Sequence, residues 1–462
     1  MSAINALRLK VFHVLAIDRA VFFSIVGKIW TLPAGLITTL LIASVFSPEL
    51  QGYYYTFSSV LALGAFAELG LGVVLINYAS HEWAKLALDE DGRVIGDADA
   101  LSRLTSLGQF AATWYLIAAA IMTLVLTVGG LVFFATAGDP AFPWRAPWIV
   151  LCVVTGLTLC LVPVWALLEG CNQVSNVYTY RLIQSVAFSI AAWAAIYLDA
   201  GLWTASISGT ASLIATIVMI GPRYGQFIRT IMLRQPKGPH LRWRMDILPM
   251  QWRIALSWVS GYFTFALFNP VLFHYQGPVV AGQMGMTWAI TTVLMAVAHS
   301  WVAPKAPTFG ILIAQKKYIQ LDRLFWRIIA VVFGVTAIGA LAIWALVFVL
   351  NQLHHPFAAR MLSPVATGYF ALATFLVAVS LPMSIYLRAH KKEPLLALSI
   401  LSGILNGITI VALGKYYGAD GVAIGYLVVT AIVIPLVALT WYRKRAEWHA
   451  DIESVSPLQT AK

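Results

Sequence analysis

The sequence predicts an all-α integral membrane protein with about twelve transmembrane helices in two six-helix lobes. Its 462 residues are 60% hydrophobic and only 11% charged, with a mean hydropathy of +0.82. A soluble domain carries about 25% charged residues, so lipid is the expected main solvent. Uncharged runs of about 20 residues, the length that crosses a bilayer core, recur along the chain. Lysine and arginine also concentrate on alternate connections between these runs.

The predicted spans follow one another with short connections. The run at 254–303 counts as two spans, because Gly277-Pro278 marks a turn within it. The twelve spans lie at or near 20–46, 53–79, 104–138, 146–168, 182–198, 200–222, 254–276, 278–303, 328–359, 361–387, 394–414 and 421–442.

The positive charges predict the orientation. If the connections alternate sides, one side carries 26 of the 30 Lys and Arg residues and the other carries three, with Lys28 inside the first span. The basic side of a membrane protein is cytoplasmic, so both termini are expected in the cytoplasm. Contact with anionic headgroups of membrane lipids explains the net charge of +11, and no nucleic-acid partner is required.

Weak but ordered matches divide the chain into two parallel repeats. The first lobe is expected over 1–221, a basic cytoplasmic linker over 222–252, the second lobe over 253–442 and a cytoplasmic tail over 443–462. The matched pairs are Arg19 and Gly27 with Arg253 and Gly261, Pro48-x-x-x-Gly52 with Pro278-x-x-x-Gly282, and Gly201 with Gly421.

Two charged residues lie inside predicted spans of the first half. Lys28 is about 12 Å from the start of its span, where its stem can snorkel or its charge can serve a site. Glu68 is about 18 Å from the nearer end of its span, and its stem is too short to snorkel. A charge at that depth is by default functional, so we expect Glu68 to face protein or water. Gly64, Gly70 and Gly72 around it permit close helix contact or local unwinding.

The second half offers different polar groups at the matched positions. Asn269-Pro270 predicts a kink in the seventh span, where Asn269 either binds the freed backbone or serves a site. His299 lies beside the position that matches Glu68, and it either packs or titrates near neutral pH. The acidic loop "DEDGRVIGDAD" lacks the spacing of a calcium-binding EF-hand, so no metal site is predicted there.

The stretch "SPELQGYYYTFSSVLALGAFAELGLGVVLINYAS" (47–80) resembles polysaccharide flippases of the MOP superfamily, the Wzx-type exporters of O-antigen and exopolysaccharide. The resemblance implies two lobes around a central cleft lined by helices 1, 2, 7 and 8. It also implies alternating access that carries a polyprenyl-pyrophosphate-linked oligosaccharide across the cell inner membrane, for lipopolysaccharide or other surface polysaccharide. Lys28 would meet the pyrophosphate, with Arg19 and Arg253 at the rim and Glu68 neutralising Lys28 in the empty cleft. H⁺ or Na⁺ is the candidate coupling ion.

Two alternatives stay open. A cation-coupled drug exporter of the same superfamily would favour membrane acids over Lys28. A membrane polysaccharide polymerase or ligase would need a large outer loop, whereas the outer connections here are about 5 to 15 residues long. The sequence has no triad, metal-spaced or phosphate-loop motif, so a transporter without catalytic residues or a cofactor is expected.

Overall fold

The computed structural model describes residues 19–68, 70–89, 92–139, 142–233, 238–239, 248–390 and 393–453. These residues are almost entirely α-helical, as predicted. By length and apolarity alone, seven helices or joined helices in this part of the chain are able to cross a membrane. Among the other predicted spans, the second and seventh are broken, and the last two are counted together.

The helices of the first half follow the predicted spans in order, although two spans are interrupted. The elements are α1 (Arg19–Val45), α2 (Pro48–Leu61), α3 (Ala65–Glu68), α4 (Leu71–Trp83), β1 (Leu86–Leu88), β2 (Val94–Gly96), α5 (Ala98–Ala137), α6 (Arg145–Leu159), α7 (Val162–Gly170), α8 (Val174–Tyr197) and α9 (Trp203–Leu233). The second span consists of α2, a 3₁₀ turn (Ala62–Gly64), α3 and α4, and the fourth consists of α6 and α7.

The second half is built in the same way. The seventh span is divided at Ala266–Leu267. The last two spans are two helices that meet at a kink at Gly418, where φ is 59° and ψ is −142°. The elements are α10 (Leu248–Phe265), α11 (Phe268–Gln276), α12 (Pro278–Val302), α13 (Ala306–Ala314), α14 (Tyr318–Gln352), α15 (Pro364–Ala389) and α16 (Leu396–Glu453), with 3₁₀ turns at Ala303–Lys305 and Pro356–Arg360.

The polar connection at 80–103 is more ordered than an open loop. β1 and β2 pair antiparallel, with Leu86 opposite Gly96. Asp97 then caps α5, because its Oδ1 atom accepts a hydrogen bond from the Ala100 backbone N–H at 2.8 Å. The sequence did not predict this hairpin.

The described residues form two compact units, and the boundary between these units is not a single point in the chain. The first unit contains residues up to Leu50 and Val60–Trp258, and the second contains Gln51–Ser59 and the chain from Val259. One stretch of α2 is thus part of the second unit. α9 continues to Leu233, so the stretch predicted as a linker begins as helix. The lobe boundaries drawn from the sequence stay a prediction.

Within the second unit, the two matched Pro-x-x-x-Gly motifs contact each other. Pro278 is the first residue of α12, and a Cβ atom on Gly52 would overlap the Pro278 carbonyl group. The Gln51 side-chain amide donates to the Gly282 carbonyl at 2.8 Å and to the Arg360 carbonyl at 3.1 Å. Only a residue without a side chain permits this approach, which gives Gly52 a packing role.

Candidate functional site in the first unit

The second span is interrupted at Glu68. α3 has only four residues, and Gly70 adopts a left-handed conformation, with φ of 69° and ψ of 12°, before α4 begins. Glycine adopts this conformation without steric cost, which explains why the chain can change direction here. Glu68 therefore lies at a break in a membrane-spanning segment, where non-helical backbone is tolerated if protein or water satisfies it.

The Glu68 carboxylate lies against Gly72, in a part of the first unit that Tyr115 and Val162 also approach. Its Oε1 atom lies 2.8 Å from the point that a Cβ atom on Gly72 would occupy, and the Tyr115 hydroxyl lies 3.7 Å from the same point. Val162 of α7 is the third neighbour of this point, at 3.9 Å. Glu68 is half-buried. The absence of a side chain on Gly72 thus makes room for the carboxylate.

Arg181 is the charge partner that the structure brings to Glu68. Its guanidinium interacts electrostatically with the Glu68 carboxylate. It also forms an ion pair with Glu169, with 3.3 Å between Nη2 and Oε2, and lies 5.8 Å from the centre of the Tyr178 ring. The Glu169 side chain is 18% exposed and that of Arg181 is 45% exposed. Arg181 is therefore paired with Glu169 and retains accessible surface.

Hydrogen bonds stiffen the start of the helix that carries Arg181. The Tyr224 hydroxyl donates to Gln173 Oε1 at 2.9 Å and accepts from Asn176 Nδ2 at 2.8 Å. The Tyr180 and Tyr224 rings lie 6.4 Å apart in an edge-to-face arrangement. These contacts fix the first two turns of α8, so Arg181 projects from a rigid element.

Arg181 and Glu169 were not predicted as members of a site, because the fifth span was predicted to begin at residue 182 and both residues were placed in the connection before it. α8 begins at Val174, so Arg181 lies about 10 Å along the helix. The sequence did contain a signal for this ion pair, because Glu169 precedes and Arg181 follows the turn between α7 and α8.

The other site residues of the first half are only partly described. Lys28 and Arg19 belong to α1, but their side chains lie outside the described part of the structure. α1 packs along α8: Trp193 Nε1 donates to Thr38 Oγ1 at 2.9 Å, and the Trp30 and Trp193 rings lie 6.0 Å apart. The helix that carries Lys28 is thus a direct neighbour of the helix that carries Arg181.

The second unit contains the remaining predicted site residues. Asn269 is buried in α11 and donates to the Ser59 hydroxyl at 3.0 Å, so its amide joins α11 to α2. His299 is exposed near the end of α12. Ser59 lies one turn after Tyr55 in α2, and Gly285 of α12 packs on the Tyr55 ring, so Asn269 and Gly285 lie near the same level of α2. His299 lies fourteen residues after Gly285, or about 21 Å farther along α12. Asn269 and His299 therefore lie at different depths. The side chain of Arg253, in α10, lies outside the described residues.

Neither a protein-family model nor a curated protein sequence matches the chain. Solved structures do match it. An inward-facing multidrug resistance MATE family transporter of the MOP superfamily has a TM-score of 0.66 and 15% identity, covering 90% of this chain and 94% of that one. The lipid II flippase MurJ, in an inward closed conformation, has a TM-score of 0.64 and 14% identity, covering 91% and 87%.

A third similar structure is the MATE multidrug transporter DinF-BH. It has a TM-score of 0.59 and 14% identity, and the match covers 92% of this chain and 95% of that one. These identities establish the fold alone. The chain is a multi-pass membrane protein with the fold of MOP superfamily transporters.

Proposed function

We propose that the protein is a flippase that carries a polyprenyl-pyrophosphate-linked oligosaccharide across the cytoplasmic membrane by alternating access, for cell-surface polysaccharide synthesis. The ion pair of Arg181 with Glu169, in the same unit as the membrane acid Glu68, is the observation that carries this proposal. The resemblance of the second span to Wzx-type flippases supports it as well. The similar solved structures are transporters and a flippase, which fits a function without catalysis.

An arginine that is paired with a carboxylate suits reversible binding of an anion. A guanidinium binds phosphate oxygens in a bidentate manner, and it is weakly hydrated compared with an ammonium group. An arriving pyrophosphate would replace one carboxylate as the partner of Arg181. When the substrate leaves, Glu169 and Glu68 neutralise the guanidinium again, so the empty site carries no uncompensated cation in the membrane.

Lys28 and Glu68 have complementary roles in this proposal. Lys28 adds a second cation for the pyrophosphate, with Arg19 and Arg253 at the entrance. Outward movement of a net anion is favoured by an inside-negative potential, by about 2.3 kcal/mol per charge per 100 mV. Return of the empty carrier requires Glu68 ionised beside the cations, so that the empty site carries little net charge.

The proposal is tested by transport in reconstituted vesicles. The rate at which a lipid-linked oligosaccharide becomes accessible to an impermeant lectin should fall by about 100-fold or more in Arg181→Gln. Arg181→Lys should keep part of the rate, because it retains the charge without the bidentate geometry. Arg145→Gln is the matched control, since Arg145 lies beside Trp144 and away from the acids. Transport by Arg181→Gln at the wild-type rate would contradict the proposal.

A cation-coupled drug exporter is the second candidate, favoured by the membrane acid Glu68 and by the MATE transporters among the similar structures. It predicts the opposite pattern. Efflux of a cationic dye would stop in Glu68→Gln and continue in Arg181→Gln. A wild-type protein that moves the dye but not the lipid-linked oligosaccharide would favour this candidate.

The orientation belongs to the same proposal. The charge asymmetry predicts that Asp139 faces the outside and Lys85 the cytoplasm. Single cysteines at these two positions should react with an impermeant maleimide on intact cells at position 139 only. The opposite labelling pattern would reverse the assignment of both termini to the cytoplasm.

A further inference from the structure

The last turns of α16 pack on two other helices of the second unit. The twelfth span is predicted to end at residue 442, and α16 continues to Glu453 on the side predicted to be cytoplasmic. Trp448 of this extension is buried in an apolar cluster that also contains Phe325 of α14 and Tyr386 of α15. The first part of the stretch predicted as a tail is therefore a helix that is docked on the rest of the unit.

His449 connects this extension to both neighbouring helices. Its ring lies 4.2 Å from the ring of Tyr318, at the start of α14, measured between ring centres. Its Nε2 atom lies 3.0 Å from the hydroxyl of Tyr386, near the end of α15. When the neutral ring carries its hydrogen on Nδ1, Nε2 accepts the phenol hydrogen of Tyr386. One half-buried imidazole thus joins three helices.

An ion pair lies beside this histidine. Arg445, one turn earlier in α16, donates to Asp322 of α14 through Nε at 2.9 Å and through Nη2 to the second carboxylate oxygen. Asp322 is therefore already matched by one cation. A positive charge on His449 would add a second cation four residues after Arg445, a spacing at which like charges on a helix repel each other.

A second histidine belongs to the same contact. The Nδ1 atom of His390, which follows α15, lies 3.0 Å from the Tyr386 carbonyl oxygen, and its ring lies 4.2 Å from the Trp448 ring. Other charged side chains of these helices form pairs of their own, Arg388 with Glu393 and Lys444 with Glu447. His390 contacts the extension through Trp448, whereas His449 contacts α14 and α15 directly.

The docked position of α16 favours the neutral form of His449. Burial lowers the pKa of His449, the Asp322 carboxylate acts in the opposite direction, and the Arg445 guanidinium lowers it further. A histidine with a lowered pKa in the docked state contributes fully to docking above its ordinary value of about 6.5. The contribution is lost as the pH falls below that value, because the undocked histidine then binds a proton more readily.

We propose that His449 is a pH-sensitive latch, which holds the end of α16 on α14 and α15 near neutral pH and releases it on acidification of the cytoplasm. The neutral ring packs on Tyr318 and accepts from Tyr386. The protonated ring has no acceptor nitrogen left and places a second cation beside Arg445. The latch lies within the second unit, and it does not depend on which cargo the carrier moves.

Hydrogen exchange of the full chain in lipid nanodiscs tests the latch. Peptides that cover 443–453 are compared by mass spectrometry at about pH 7.5 and about pH 5.5, after correction for the pH dependence of chemical exchange. One titrating group changes an opening equilibrium by at most about tenfold per pH unit, so opening should increase by about threefold to tenfold at the lower pH. Peptides from α5 should show no such increase.

Variants separate titration from packing. His449→Phe keeps a ring against Tyr318 and cannot bind a proton, so exchange over 443–453 should be equal at the two pH values. His449→Gln should give the same result, and it replaces the first variant if that one does not fold. His390→Gln is the matched control, because it removes the other histidine of this contact and should keep the pH response.

Two results would overturn the proposal. One is a change of less than about twofold in the wild type, since a single histidine that titrates between the two conditions must exceed it. The other is a response of wild-type size in the folded His449 variants. If His390→Gln abolishes the response while the His449 variants keep it, the pH-sensitive group is His390.

Discussion

Substitution of Gly72 by alanine moves the Glu68 carboxylate without removing its charge. The new Cβ atom would lie 2.8 Å from Glu68 Oε1, whereas ordinary van der Waals contact begins at 3.4 Å. The oxygen must therefore move by about 0.6 Å, and it can do so because it is the end of a flexible side chain. Tyr115, at 3.7 Å from the same point, need not move.

The stability and the transport rate should respond differently. Gly72 is the second residue of α4, where alanine gains less over glycine than the about 0.5–1 kcal/mol of a helix interior, so the free energy of unfolding should stay about equal. Misplacement of a positioned group by about 1 Å can cost about 100-fold in rate. A shift of about half that size should slow transport of the lipid-linked oligosaccharide by about tenfold.

Transport in reconstituted vesicles and thermal unfolding in detergent measure the two effects. Gly129→Ala is the matched control: Gly129 lies in α5, and an added Cβ atom would have no neighbour within 4 Å. It should gain helix stability and keep the wild-type rate. Transport by Gly72→Ala at the wild-type rate would refute the reasoning that the position of Glu68 matters. A loss of stability of about 2 kcal/mol or more would refute the claim that the side chain absorbs the contact.

Two further predictions concern the second unit. Gly52→Ala should lower the free energy of unfolding by about 1–3 kcal/mol, because backbone at Pro278 cannot yield, whereas Gly35→Ala should not, since its Cβ atom would meet nothing within 4 Å. Equal stability of the two variants would contradict the packing role of Gly52. Arg445 Nε donates to Asp322 Oδ1 at 2.9 Å, and both side chains are less than 30% exposed. Asp322→Asn and Arg445→Gln should each lower the free energy of unfolding by about 1.5–3 kcal/mol, and the double variant should lose less than the sum of the two. Additive losses in thermal unfolding would show that the two side chains are not coupled.

Composition and pattern alone were sufficient for the fold class and the order of the spans. Runs of apolar residues are a direct consequence of the bilayer, which excludes polar side chains and demands helical backbone. The match between Pro48-x-x-x-Gly52 and Pro278-x-x-x-Gly282 could also be read from sequence. Its meaning could not, because the contact between Gly52 and Pro278 joins residues more than 200 positions apart.

The candidate site was accessible from the sequence only at Glu68. An acid deep in an apolar run is costly in hydrocarbon, so its presence alone predicts an interior environment. The partner of that acid is a tertiary property. The packing of α7 and α8 pairs Arg181 with Glu169, whereas the pairing of Lys28 with Glu68 stays a prediction, because the Lys28 side chain lies outside the described residues.

The sequence by itself determined that this chain lies in a membrane, where its helices cross, and that Glu68 must be sheltered. Only the tertiary structure decided that the second span breaks at Gly70, that Gly72 leaves room for the carboxylate, and that Arg181 pairs with Glu169. The physical reason is the separation along the chain of the residues that each effect involves. Burial in lipid acts on each segment through its own composition, whereas charge pairing and close packing depend on atoms supplied by segments far apart in the chain.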